Sequence, residues 1–221
     1  MRHCIIPVVV FLLSVPAGSL TAQEMEQLEI SYPRPVFVGT PKDMEVERLE
    51  KTWELPLMRI FVPEGTINAA LGKYVECSDQ DLILGEPELV TDGDKEAADG
   101  SFLEMNEGPQ HITIDLEERF TVYAITLWHY HKKARVYFDV VVQLADDPDF
   151  IINTTTLFNN DHDNSLGLGV GEDLHYIETY EGRLIDARGS EGRYVRLYSN
   201  GNTDNRLNHC IEVEVYGTPV N

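Results

Sequence analysis

The chain has 221 residues, and its 38 acidic against 17 basic side chains give a formal net charge of -21. So acidic a surface repels phosphate backbones and anionic lipid, which excludes nucleic acid and an anionic membrane face as partners. With 43% hydrophobic residues, the length suits one domain with a real core plus an extension, and the surplus charge reads as a solubilising surface.

The first element is a leader over residues 1–22. Met1-Arg2-His3 is basic, Ile5 to Leu13 is almost unbroken apolar sequence, and small and polar residues run from Ser14 to Gln23. That order is a secretory signal peptide, with cuts expected after Ser19 or Ala22. The apolar run falls well short of the roughly 20 residues that span a bilayer. The sequence therefore predicts export to a secreted, periplasmic or extracellular location, with no transmembrane anchor in the mature chain. Cys4 leaves with the leader, so Cys77 and Cys210 remain as an even pair in an oxidising compartment. A Cys77–Cys210 disulfide would close a long loop and contribute on the order of 4 kcal/mol in the chain-entropy model. Two buried free thiols are the other reading.

Residues 23–65 form a Pro-rich acidic extension. Pro33, Pro35, Pro41, Pro56 and Pro63 break long regular elements, while Tyr32, Phe37, Trp53, Leu57, Ile60 and Phe61 are too apolar for a pure linker. A short helix is expected over Asp43–Thr52, and the extension reads as an arm that is part packed and part spacer.

Residues 66–217 carry the punctuation of an all-β domain, followed by a tail over 218–221. Runs at Tyr74–Cys77, His111–Leu116, Phe120–Tyr130, Arg135–Ala145, Thr155–Phe158, Tyr194–Tyr198 and Cys210–Tyr216 alternate with Gly/Asn/Asp clusters. In the last run Ile211, Val213 and Val215 share one face and Glu212 and Glu214 the other. The glycines from Gly167 to Gly171 lie in a polar loop rather than between a strand and a helix, so they do not read as a phosphate cradle. No Gly-x-Ser-x-Gly elbow, no His-Glu-x-x-His pair and no placed acid–base couple occurs, so the chain reads as a non-enzyme.

Five stretches in order resemble one family. These are Asn68 to Lys73, Leu89-Val90-Thr91-Asp92-Gly93-Asp94, His111 to Leu116, Arg193 to Leu197, and Glu212-Val213-Glu214-Val215-Tyr216-Gly217. Together they are similar to the discoidin, or coagulation factor 5/8 type C, domain of the galactose-binding-like superfamily. The resemblance implies an antiparallel jelly-roll β-sandwich with both chain ends at one pole and a binding role, usually for carbohydrate, through loops at one end.

The resemblance also implies a structural calcium site. Its carboxylates would be Asp92 and Glu212, with carbonyls from Leu89, Asp94, Ala97 and Ile211. Ala97 or Ala98 stands where the pattern has Thr or Ser, and Phe102 where it has Trp. For the ligand, the family's histidine and arginine match His131 and Arg135, with His129 and Tyr137 nearby. Asp161, His162 and Asn164 in one polar loop and Asn205 in another are further candidates, although such stretches make turns in any sandwich. His129 and His131 have a His-x-His spacing that can also hold zinc or copper, given further ligands such as His162. The expected partner is a carbohydrate or glycan. The alternative is a structural or adhesive protein that meets another cell-surface protein through the arm.

Overall fold

The computed structural model describes residues 24–35, 44–51 and 58–220, so the leader lies outside the described residues. Within them the regular structure is strand, apart from a short 3-10 helix over Pro87–Thr91. The two longest strands organise the fold. β6 (Gln110–Trp128) pairs antiparallel with β9 (Arg183–Ser199) along nearly its whole length. The separate runs expected at 111–116 and 120–130 are thus one strand, and the run at 194–198 is the end of another.

Both long strands serve two walls of the sandwich. The first part of β6 takes β4 (Val75–Cys77) on its free side, while the last part of β9 takes β7 (Val141–Ala145), which takes β8 (Thr155–Asn159). The second part of β6 instead takes β11 (Glu212–Pro219), which takes β3 (Ile67–Asn68). The register shifts between Asp115 and Phe120, where Glu117 has φ +70. Such an irregularity lets a strand leave one sheet and enter the other. The result is one antiparallel sheet of seven strands folded over its own core. Ile112, Ile114 and Leu116 point inward from the first part of β6, and Val213 and Val215 face them from β11. A further pair, β5 (Leu103–Met105) with β10 (Asn208–Cys210), closes one flank.

Gly192 sits at the bend, where an added Cβ would lie 2.5 Å from Leu144 Cγ and 2.9 Å from the Ala145 carbonyl oxygen. Gly192→Ala is therefore expected to cost about 1–3 kcal/mol by overpacking, measurable as a lower urea midpoint with an unchanged slope.

Two expectations are corrected. The Cys77–Cys210 disulfide is not formed; both are free thiols. Each is held by its own strand pairing, Cys77 opposite Ile112 and Cys210 opposite Leu103, and both fill the main core as small apolar groups. Burial pushes the Cys77 thiol up to about 12 and Cys210 well above its usual value. Residues 44–51 of the segment expected as a helix do not form one. Arg48 takes φ +57 and Leu49 makes a parallel bridge to His175, so a tertiary backbone partner overrides the local charge pattern. Elsewhere in the extension β1 (Met25–Gln27) pairs with β2 (Phe61–Pro63), and Ile30 packs against the Trp128 cluster.

Candidate functional site

The loops that leave β6, β8 and β9 gather at one pole of the sandwich, and Phe138 lies at their centre. Its N–H donates to the Gly201 carbonyl at 3.1 Å, and its carbonyl accepts from Asn200 N–H at 2.9 Å. Asp139 then takes φ +51 and turns the chain into β7. Asp tolerates that left-handed region, which is why the run read as one strand over 135–145 breaks here. The half-buried Phe138 ring borders three hollows, of 540, 530 and 400 Å³. The first is shared with Asn200, Asn205 and Arg206, the second with Met44–Glu47, the third with Asn160, His162 and Asp163.

Two buried groups in this basin lack a partner. Asn160 is fully buried, and its Oδ1 accepts from Val140 N–H at 2.7 Å, which leaves Nδ2 unsatisfied. His175 is 7% exposed, and its Nδ1 is unsatisfied as well. A buried polar atom without a partner costs about 1–3 kcal/mol. Phe138 meets the His175 ring edge-on at 5.4 Å. An aromatic face flanked by a few convergent polar groups is the usual make-up of a small-ligand site.

Beside Phe138, the carboxylate oxygens of Asp139, Asp161 and Asp163 lie within 4.8 Å of one another, a spacing that can hold a metal ion. The same oxygens already have protein donors. Asp161 accepts from Ser165 N–H (3.0 Å) and Leu166 N–H (2.9 Å), and Asp139 accepts from Ser165 Oγ (2.8 Å) and Asn200 Nδ2 (2.9 Å).

The ligand candidates from the sequence divide. His129, His131, Arg135 and Tyr137 are all buried, and none of them lines the three hollows at Phe138. His129 Nδ1 lies 3.0 Å from Glu178 Oε2, and its ring stacks on Tyr137 at 4.2 Å. Tyr137 Oη reaches His209 Nδ1 at 3.0 Å, and His209 Nε2 reaches Glu104 Oε1 at 3.2 Å. Arg135 lies over the Tyr130 ring and contacts Asp204 at 2.9 Å. His131 Nε2 donates to the Lys95 carbonyl at 2.9 Å. The two histidines of the His-x-His pair thus diverge to different partners. They belong to an internal polar cluster, because period-two alternation assigns a face and says nothing of depth. Asp161 is buried under the basin, and His162 lines it while bonded to the Asp173 carbonyl. Asn164 and Asn205 cap their own turns, accepting from Gly169 N–H (2.7 Å) and Leu207 N–H (3.0 Å), although Asn205 also lines the first hollow. Phe138, Asp139, His175 and Asn200 are the basin residues that sequence reading did not single out, whereas Asn160 belongs to the polar loop that it did.

The buried imidazoles make stability acid-sensitive. Burial, with Arg135 next, holds His209 down at about 3, and burial holds His111 and His175 at about 4. These groups stay neutral in the fold while the unfolded chain protonates near 6.5, so their contribution is complete above pH 6.5 and is lost as pH falls below it. His209→Gln is expected to lose about 2–3 kcal/mol less than the parent between pH 6.5 and 4.5. Urea titrations at the two pH values measure the difference.

A second cluster forms where the 3-10 helix ends. Gly93 N–H donates to Glu212 Oε2 at 3.2 Å, which sets Asp92 beside the fully buried Glu212. Glu212 Oε1 has no partner, and burial pushes the carboxyl up to about 9. The nearby cation, Lys95, is engaged by Glu214 at 2.7 Å. Asp94 N–H donates to Asp92 Oδ1 at 2.7 Å, while Ala97 and Ile211 lie together in a small apolar cluster with Trp128. A buried carboxylate oxygen with no countercharge fits a hard cation.

Neither a protein-family model nor a curated protein matches the sequence. Solved structures do. A mutant lectin binding domain of lectinolysin in complex with Lewis b aligns with TM-score 0.51 and 18% identity, over 71% of this chain and 99% of that one. A Streptococcus pneumoniae fucose binding module aligns with TM-score 0.50 and 21% identity, over 69% and 98%. A CBM32 module produced by Clostridium perfringens aligns with TM-score 0.50 and 18% identity, over 67% and 98%. At such identities the likeness shows the fold alone, the antiparallel β-sandwich that these modules share.

Proposed function

We propose that this chain is a non-catalytic carbohydrate-binding module, exported by its leader, that seats a glycan on Phe138. The carrying observation is one ring bordering three hollows, with two unsatisfied buried polar groups beside it. A sugar needs that combination, an apolar face for its ring carbons and fixed hydrogen-bonding groups for its hydroxyls. The fold neighbours named for fucose and Lewis b binding support the reading.

A glycan array followed by calorimetry on the best ligand tests it. Stacking about 80 Å² of ring face stabilises by about 2 kcal/mol, so Phe138→Ala is expected to weaken binding roughly thirtyfold, with the melting temperature lowered by loss of a half-buried ring but the fold retained. Wild-type affinity in Phe138→Ala would move the site elsewhere. An empty array would favour a protein partner instead.

The unpartnered Glu212 Oε1 supports a structural calcium ion as part of the same reading. Asp92 and Glu212 would hold it, with carbonyls from Leu89, Asp94, Ala97 and Ile211. Its contribution would be to tie the segment after the 3-10 helix to the start of β11.

A further inference from the structure

The inference drawn here rests on the glycan-binding reading and concerns which glycan the same basin takes. About seven-tenths of this chain matches nearly the whole of each fold neighbour, so the chain carries material beyond the shared sandwich. Residues 44–50, in the extension that precedes the β-domain, stand against the basin. They are anchored by Glu50 N–H to the His175 carbonyl at 2.8 Å and by His175 N–H to the Arg48 carbonyl at 3.1 Å. Arg183 Nη1 holds the buried Glu50 Oε2 at 2.8 Å, and the same guanidinium lies over the Phe158 and Tyr176 rings. Paired backbone bonds and a half-buried ion pair make this segment a fixed part of the pole.

We propose that residues 44–50 form a wall of the ligand site, and that Glu45 and Glu47 on it select glycans bearing protonated amines. Both glutamates are exposed and line the hollow that Phe138 and His175 share with the wall. Across Phe138, Asp139 and Asp163 line the adjoining hollow. His175, nine-tenths buried with an unpartnered Nδ1, lines the same hollow as the two glutamates, and Asn160, with an unpartnered Nδ2, lines the adjoining one. Little positive charge offsets these acids. Arg206 lies in the outer hollow, 88% exposed and loosely paired with Glu107 at 3.8 Å, and Arg48 turns to the Glu172 carbonyl. Burial keeps His175 neutral at physiological pH. An ammonium group is attracted by the carboxylates and by the face of Phe138, whereas a uronate or sulfate is repelled by the same field and by the net charge of -21.

Calorimetry with a glucosamine tetramer, its fully N-acetylated counterpart and a uronate tetramer tests the proposal. The expected order is the amine form first and the uronate last, with the preference shrinking as salt rises. Two exposed ion pairs together are worth roughly tenfold in affinity. A double E45Q/E47Q variant should lose about that factor for the amine form and nothing for the N-acetylated form, with an unchanged melting temperature. Binding that ignores the amine, or a double variant with wild-type affinity, overturns the wall alone. No binding of any of the three overturns this proposal together with the glycan reading.

Discussion

Millimolar calcium added to the metal-stripped chain is expected to raise its melting temperature by about 5–10 °C, and Glu212→Gln is expected to remove the rise. Binding to the folded state alone stabilises by about 2.7 kcal/mol when the ion is at a hundred times its dissociation constant. For a chain of this size each kcal/mol moves the midpoint by about 2–4 °C. The physical basis is the Glu212 carboxylate, fully buried, bonded on one oxygen to Gly93 N–H and unsatisfied on the other. Removing a charge from water without a countercharge is costly, and the lysine nearby is already taken by Glu214. An ion would supply what Lys95 does not. Gln keeps the volume and one oxygen but not the charge, so without calcium the variant should be at least as stable as the parent. Scanning calorimetry with chelator and then with calcium reads both results. Equal midpoints in the two conditions would remove calcium from the proposed function. A rise that persists in Glu212→Gln would place the ion at Asp139, Asp161 and Asp163 instead, where Asp163→Asn should then abolish it.

What could be read in the sequence was what local periodicity encodes. Ile112, Ile114 and Leu116, like Val213 and Val215, announce an inward face because strand side chains alternate with period two, and all of them lie in the core. Depth was not legible in the same way. His129, Arg135 and Tyr137 look like surface residues by polarity, and only a partner 49 residues on, Glu178, reveals that His129 is internal. Phe138 was hidden inside a run of β-forming residues, because nothing local shows that Asp139 turns the chain there. The bond between Gly93 and Glu212 spans 119 residues, a distance over which local spacing is silent; the resemblance named Asp92 and Glu212 together as ion ligands and not this bond. The even cysteine count was legible too, but a bond depends on geometry that a count does not contain. Residues 44–50 show the reverse case, in which a charged stretch with local helical character is held in a turn and a single bridge by a backbone partner at His175.

The internal cluster carries the largest expected loss of stability. Glu178→Ala should cost about 2–3 kcal/mol, because it removes the carboxylate bonded to a fully buried imidazole and leaves that ring nitrogen unsatisfied. Glu178 and His129 are both fully enclosed at 3.0 Å, and Tyr176 Oη approaches the same imidazole nitrogen at 3.5 Å. Glu178 N–H also donates to the Arg135 carbonyl at 2.8 Å, which ties the pair to the loop that presents Phe138. Truncation leaves His129, stacked on Tyr137, without the carboxylate that its Nδ1 meets at 3.0 Å. Glu178→Gln keeps an oxygen in reach of the imidazole and should cost about 1 kcal/mol. Replacing both members by leucine removes the orphaned group along with its partner, so the double variant should recover about 1–3 kcal/mol relative to the sum of the single changes. Urea midpoints at neutral pH for the singles and the double give that coupling directly. A Glu178→Ala cost below about 1 kcal/mol, with additive single changes, would show that the pair is solvated and that the cluster does not act as a unit.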